Sequence, residues 1–334
     1  MDEVSGHCKE KLYVVTHDLG MRIQNLRSLG LETPEADHLF FGSFQDELKA
    51  KISKILPDVK VVSYDMKSLG EKIWAEAVKH QASLKDCVVL STCAELASPR
   101  RGHLIEVNRI VNHDGDVIGL GPRPGNPSLN DQIAGIARAV QGKQVVLIED
   151  GAFSGQTLEY VIGRLLSHRI NVSAVVVGIC FPSAIKKISS TFRGNFVVIE
   201  ESTKPFEWMP DHDFIPFAPN CGRVFGGNFG NEVLPHYSHD GLSYCFPYVR
   251  PFGNPAKWAS IPTDHVGEFS LFCVRKALEL FELLEEMNDR EITISDLKGS
   301  TPRISLPITA GSSGLSNPDM NIVSFLRETC QEIA

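Results

Sequence analysis

The sequence predicts an α/β protein: a mostly parallel sheet flanked by helices, with an irregular hood and a C-terminal helical extension. Three observations carry this. Short apolar runs fall at 12–16, 59–64, 87–91, 104–111, 145–149, 172–179 and 196–200, several of them continuously apolar and β-branched. Helical patterns lie between them, near 44–56, 68–82, 128–141 and 157–168. The composition then changes after about residue 203. Unbroken apolar strands are covered on both faces, and their alternation with helices points to parallel pairing.

The clearest unit is Val145-Val146-Leu147-Ile148-Glu149, a loop, a helix, and the run 172–179. Leu158, Val161, Ile162, Leu165 and Leu166 recur at one-face helical spacing, so the unit reads as a βαβ crossover. Residues 205–262 are rich in Pro, Gly and aromatics without a helical period, and so long an irregular stretch usually covers a site. An amphipathic helix returns over 264–288, with Phe269, Phe272, Cys273, Leu280, Leu284 and Met287 on its apolar stripe and Thr263 or Asp264 as cap. A shorter helix is expected over 319–332. The division is drawn as a core of residues 1–200 and an extension of residues 201–334.

Composition bounds the function. A net charge of -8 argues against a nucleic-acid or membrane surface, since both favour clustered Lys and Arg. No apolar stretch approaches the ~18 residues of a membrane-crossing helix. The N-terminal Met1-Asp2-Glu3-Val4 is acidic, without a signal-peptide pattern. The eight cysteines are scattered, several inside apolar runs, which suits reduced core thiols in a cytoplasmic protein. Cys221, His236, His239, Asp240 and Cys245 lie close in sequence, but their spacing fits no zinc pattern. His17-Asp18 after the first strand offers an acid/base pair, but a lone His at a strand end is usually structural.

The segment Glu149-Asp150-Gly151-Ala152-Phe153-Ser154-Gly155-Gln156-Thr157 ends a buried strand and opens a helix. A helix N-terminus presents unpaired N–H groups and partial positive charge, and a small-residue loop lets those amides surround a phosphate. Ser154 and Thr157 add hydroxyls, and Gly155 permits close approach. Two consecutive carboxylates at a strand end are costly unless ribose hydroxyls or a hydrated Mg²⁺ engage them.

These residues resemble the phosphoribosyl pyrophosphate (PRPP) motif of type I phosphoribosyltransferases: four apolar strand residues, an acidic pair, two usually apolar residues and a Thr-Thr-Gly-x-Thr-like loop. The resemblance covers about 13 residues directly and extends loosely over 85–200. It implies that Glu149 and Asp150 face the ribose 2′ and 3′ hydroxyls or a Mg²⁺, and that Phe153, Ser154, Gly155, Gln156 and Thr157 hold the 5-phosphate. The family often places an ionisable group just after the acidic pair; here Gly151, Ala152 and Phe153 stand there. The implied pyrophosphate loop is Thr92-Cys93-Ala94-Glu95, with Arg100 and Arg101 nearby. The implied lid is a hairpin from Arg109 to Asp116, or alternatively 121–126. The implied base-recognition hood is 205–260, with Phe214 and Arg223 near the acceptor. The resemblance implies a Mg²⁺-dependent enzyme of nucleotide metabolism that joins PRPP-derived ribose 5-phosphate to an unidentified acceptor, with a homodimer possible. A non-catalytic PRPP or nucleotide sensor on the same fold is the alternative.

Overall fold

The computed structural model describes residues 11–97, 102–237, 243–297, 303–304 and 319–334. The central sheet contains β3 (Cys87–Ser91), β4 (His103–Leu104), β7 (Gln144–Ala152), β8 (Asn171–Cys180) and β9 (Asn195–Glu201), all parallel, in the order β4-β3-β7-β8-β9. A second parallel sheet runs β10 (Pro205–Pro210), β1 (Lys11–His17), β2 (Val59–Asp65). The third sheet is mixed. It holds β5 (Val107–Val111), β6 (Val117–Pro122), β11 (Arg223–Phe229), β12 (Glu232–Pro235), β13 (Tyr244–Phe246) and β14 (Arg303–Ile304). The expected α/β class is observed, with parallel sheets flanked by helices.

Alternation along β7 explains the layering. Val145 and Leu147 point to one face, where they join Leu158, Val161, Ile162 and Leu165 of α5 (Gln156–Ser167) and Ile133 and Ile136 of α4 (Leu129–Ala139). Val146 and Ile148 point to the other, against Leu69, Ile73 and Ala77 of α3 (Met66–Ser83). Fully burying each such aliphatic side chain contributes about 1.5–3 kcal/mol, so α5 is held chiefly by its apolar stripe. Asp65 caps α3 by accepting from Ser68 N at 2.7 Å, and Ser128 caps α4 by accepting from Asp131 N at 3.2 Å. On the same outer layer as α5 lies α6 (Pro182–Thr191), whose Ala184 and Ile188 are buried.

A further core joins distant parts of the chain. Tyr13 and Val15 of β1 and Phe41, Phe44 and Leu48 of α2 (Leu39–Ile55) pack with Phe214, Phe217 and Phe252 and with Phe269, Leu280 and Phe281 of α8 (Val266–Asn288). Leu326 of α9 (Ile322–Ile333) joins them. A cut at residue 200 would run through this core: residues 13–61 and Val111 pack with residues 209–326, whereas the central sheet and its helices draw mainly on residues 66–200. Residues 205–262 also contain strands. The Pro and Gly content hid them, because β10 to β13 are short and broken by turns.

The expected strand 104–111 divides at Ile105-Glu106, and β5 turns back into β6 as an antiparallel hairpin. The turn at 112–116 is organised by Asn112, whose side chain accepts from Asp114 N at 3.0 Å and Asp116 N at 2.9 Å. Trp258 in α7 (Pro255–Trp258) donates Nε1–H to Gly115 O at 3.1 Å, which fixes the turn to the hood.

Candidate functional site

Where β7 ends and α5 begins, a cavity of about 220 Å³ opens. Its lining includes Glu149 through Leu158 without a gap, together with Thr92, Arg109 and Arg223. Residues named from distant sequence segments thus meet around one space.

The loop is shaped for an anion. Gly155, at φ 75°, is the N-cap of α5, and no side chain caps the helix. The one side-chain contact to its first turn is long: Gln156 N donates to Ser154 Oγ at 3.5 Å. A Cβ at 155 would meet Ala184 Cα at 3.0 Å, so the loop sits directly on α6. Ser183 Oγ donates to Phe153 O at 2.7 Å, and the Phe153 ring packs edge-on against Phe181 with centroids 4.9 Å apart. These contacts hold the turn along the cavity wall with the helix start free of a side-chain cap, the arrangement that suits a phosphate.

The acidic pair lies beside it. Thr92 follows β3, and its backbone N–H donates to Ile148 O at 3.2 Å. Its hydroxyl donates to Glu149 Oε2 and holds that carboxyl in place. Burial, reinforced by the charge of Asp150, pushes Glu149 well above the usual carboxylate range. Burial raises Asp150 as well. Two half-buried carboxyls side by side disfavour carrying both negative charges, and a cation or a donor-rich ligand relieves that. Above Gly151 lies the Trp208 ring, 2.6 Å from where a Cβ would be, so position 151 admits no side chain.

The opposite wall is a buried ionic network that sequence reasoning did not find. Pairing of β1 with β10 brings His17-Asp18 against Asp211-His212-Asp213. Arg22 in α1 (Leu19–Ile23) donates Nε–H to Asp18 at 2.6 Å, and its Nη2 is 3.0 Å from Glu95. His212 Nδ1 is 2.7 Å from Asp18 Oδ1, and His17 Nδ1 is 3.1 Å from Asp211. Asp211 also accepts from Asp18 N and Leu19 N, which fixes the turn after β1. Burial opposes the charge on Glu95, yet Arg22 holds it below the usual range. Burial and Arg22 likewise oppose protonation of His212, but Asp18 and Asp213 prevail and raise it. Asp18, Arg22, His212 and Asp213 line the cavity. The only sequence signal was the recurrence of His-Asp after two β-rich runs; the partners stand 194 positions apart.

Other expected residues fall as follows. Arg223 lines the cavity with its guanidinium over Tyr248 and Trp258, at 5.2 and 5.5 Å from the ring centroids. Phe214 does not line it: the ring is fully buried and packs edge-on against Phe269 at 5.2 Å, because α8 offers it an apolar face. Glu95 pairs with Arg22 and stands outside the lining. Arg123, in the alternative lid, lies 3.1 Å from Glu106 and lines the cavity. Arg100, Arg101, His239 and Asp240 lie outside the described residues. His236 stacks on Phe225 at 4.8 Å. Among the described residues no group of three His, Cys, Asp or Glu side chains converges to hold a metal ion, and no helix is long and apolar enough to cross a membrane.

Comparison with known proteins gives structural likeness only; no family model and no curated protein matches this chain. A purine phosphoribosyltransferase from Pyrococcus horikoshii is 15% identical with a TM-score of 0.27, over 42% of this chain and 86% of that one. The adenine phosphoribosyltransferase of Leishmania donovani is 14% identical with a TM-score of 0.28, over 45% and 68%. That of Thermoanaerobacter pseudethanolicus is 12% identical with a TM-score of 0.28, over 44% and 92%. At such scores the functional reading stands on the geometry of the site.

Proposed function

We propose that this cavity binds the 5-phosphoribosyl group of PRPP and transfers it to a small acceptor, releasing pyrophosphate. The observation that carries the reading is the convergence in one cavity of an uncapped helix N-terminus, a half-buried carboxyl pair and two arginines. The amides of 153–157, with the Ser154 and Thr157 hydroxyls, take the 5-phosphate. Glu149 and Asp150 accept from the ribose 2′ and 3′ hydroxyls, and Thr92 keeps Glu149 oriented for this. Arg109, exposed on β5, offsets negative charge on the leaving pyrophosphate.

Mg²⁺ fits the pair in a limited way. Two oxygen-bearing side chains suit an ion that takes its other ligands from water and phosphate. Glu149 and Asp150 are the residues to hold it, and it would supply charge neutralisation of pyrophosphate. Bond-making at ribose C1 then places the acceptor on the hood side of the cavity, beside Arg223.

One feature favours a second reading, a PRPP or nucleotide sensor. Trp208 occupies the space over Gly151, and residues 151–153 offer no ionisable group beside the sugar ring. Two measurements separate the readings. A transferase melts at higher temperature with PRPP and releases pyrophosphate once supplied with an acceptor. A sensor gives the thermal shift and no pyrophosphate with any acceptor. Absence of a shift with PRPP and with ribose 5-phosphate, each with Mg²⁺, overturns both.

A further inference from the structure

We propose that the acceptor is a planar heterocyclic carboxylate whose acid group is held by Arg223. The inference rests on the phosphoribosyl reading of the same cavity and specifies its other substrate.

Arg223 is a cation prepared for a partner the protein does not supply. Its Nε is buried with no hydrogen-bond acceptor, and among the described residues no carboxylate forms an ion pair with it. Glu207, an acid that feels its charge, is already engaged: Oε2 accepts from Ser260 Oγ at 2.7 Å and Oε1 from Trp208 N at 3.0 Å. Even partial burial of a guanidinium without an anion is costly, and here Nε is the buried atom. Stacking on Tyr248 and Trp258 recovers part of that cost.

The clamp is rigid. Trp258 is anchored through Nε1 to Gly115 O, and Tyr248 N donates to Asp213 O at 3.2 Å. A guanidinium stacked on rings keeps its N–H edge open, and a coplanar carboxylate accepts two parallel hydrogen bonds from such an edge. The rings that carry Arg223 also line the cavity and offer a heterocycle a surface to pack on. A volume of about 220 Å³, shared with the sugar, restricts the acceptor to a small ring. The pyrophosphate is assigned to Arg109 because that side chain is exposed on the neighbouring strand β5, whereas Arg223 is half-buried against the two rings.

The test is calorimetric titration of the full chain with orotate, nicotinate and quinolinate, each against its neutral parent, uracil or pyridine. Ribose 5-phosphate and PRPP are titrated in parallel. At least one acid is expected to bind tenfold or more tightly than its parent. Arg223→Met removes that preference and Arg223→Lys, with charge but no fork, retains a fraction of it. Both variants keep ribose 5-phosphate affinity within twofold. If Arg223→Met does not fold, as read by its melt, Arg223→Lys carries the comparison. The proposal is overturned if no acid is preferred in the native chain. It is equally overturned if the Arg223 variants weaken PRPP alone and leave the acids untouched, which assigns the guanidinium to pyrophosphate. If ribose 5-phosphate and PRPP fail to bind the native chain, the phosphoribosyl reading falls, and this one with it.

Discussion

Gly155 is where the phosphate loop is most easily broken. Its φ of 75° lies in the left-handed region, and an added Cβ would stand 3.0 Å from Ala184 Cα and 3.2 Å from Ala184 Cβ. The left-handed conformation costs an L-residue roughly 1–2 kcal/mol, and a contact with helix backbone cannot be relieved by a side-chain rotation, so Gly155→Ala should cost about 2 kcal/mol or more. Gly142, in the turn between α4 and β7, is the control. Its φ is 76° and a Cβ there meets nothing within 4 Å, so Gly142→Ala carries the conformational cost alone, about 1 kcal/mol. At roughly 2–4 °C per kcal/mol, Gly155→Ala should melt about 4–8 °C below the native chain and Gly142→Ala about 2–4 °C below it. Only Gly155→Ala should also lose ribose 5-phosphate affinity, by tenfold or more, since displacing one amide hydrogen bond to a charged group suffices for that loss. Differential scanning fluorimetry with and without ribose 5-phosphate reads both effects. Equal melting shifts in the two variants, with an unchanged ribose 5-phosphate titration, would refute the reasoning.

Further perturbations test the remaining walls. Burial raises Glu149 and Asp150 in the folded state, so the stability tied to their protons is complete below about pH 4 and is lost as pH rises through the elevated values. The paired variant Glu149→Gln/Asp150→Asn should therefore gain stability relative to the native chain between pH 4 and pH 8, read by urea denaturation; a constant difference across that range counts against the burial argument. The same pair of substitutions should abolish PRPP-dependent pyrophosphate release. Thr92→Val removes the hydroxyl that orients Glu149 and should weaken PRPP about tenfold while leaving the melt within a few degrees, as a charged hydrogen bond contributes about 1.5–3 kcal/mol. Arg22→Met strips Glu95 of its ion-pair partner and leaves Asp18 with His212 alone, and should destabilise by about 3–5 kcal/mol, visible as a large fall in the denaturation midpoint.

The phosphate loop was legible because local chemistry fixes it. Apolar alternation in 145–148, a carboxyl pair, small residues and an amphipathic helix all lie within one crossover unit, and the structure places them in one cavity. Most strands of the first 200 residues were readable for the same reason, but β6 (Val117–Pro122) was missed and the run 104–111 proved to be two strands. The Asp18–His212 wall was not legible, since its halves meet only through strand pairing across most of the chain. Phe214 was misplaced because an aromatic beside prolines looks the same whether it faces a ligand or the stripe of a distant helix. Arg223 was assigned on proximity in sequence to Phe214, yet it reaches the cavity through its own strand and the rings of Tyr248 and Trp258.

The pairing of β1 with β10 also has a temporal consequence. A nascent polypeptide halted before Pro205 already contains the crossover proposed to cradle phosphate, but not the strand that completes the sheet beside β1. During synthesis the anion loop therefore exists before the chamber around it, and ligand capture must await emergence of Asp211-His212-Asp213. Limited cleavage between the crossover and β10, followed by separation of the pieces, should silence the protein while leaving its most recognisable segment intact.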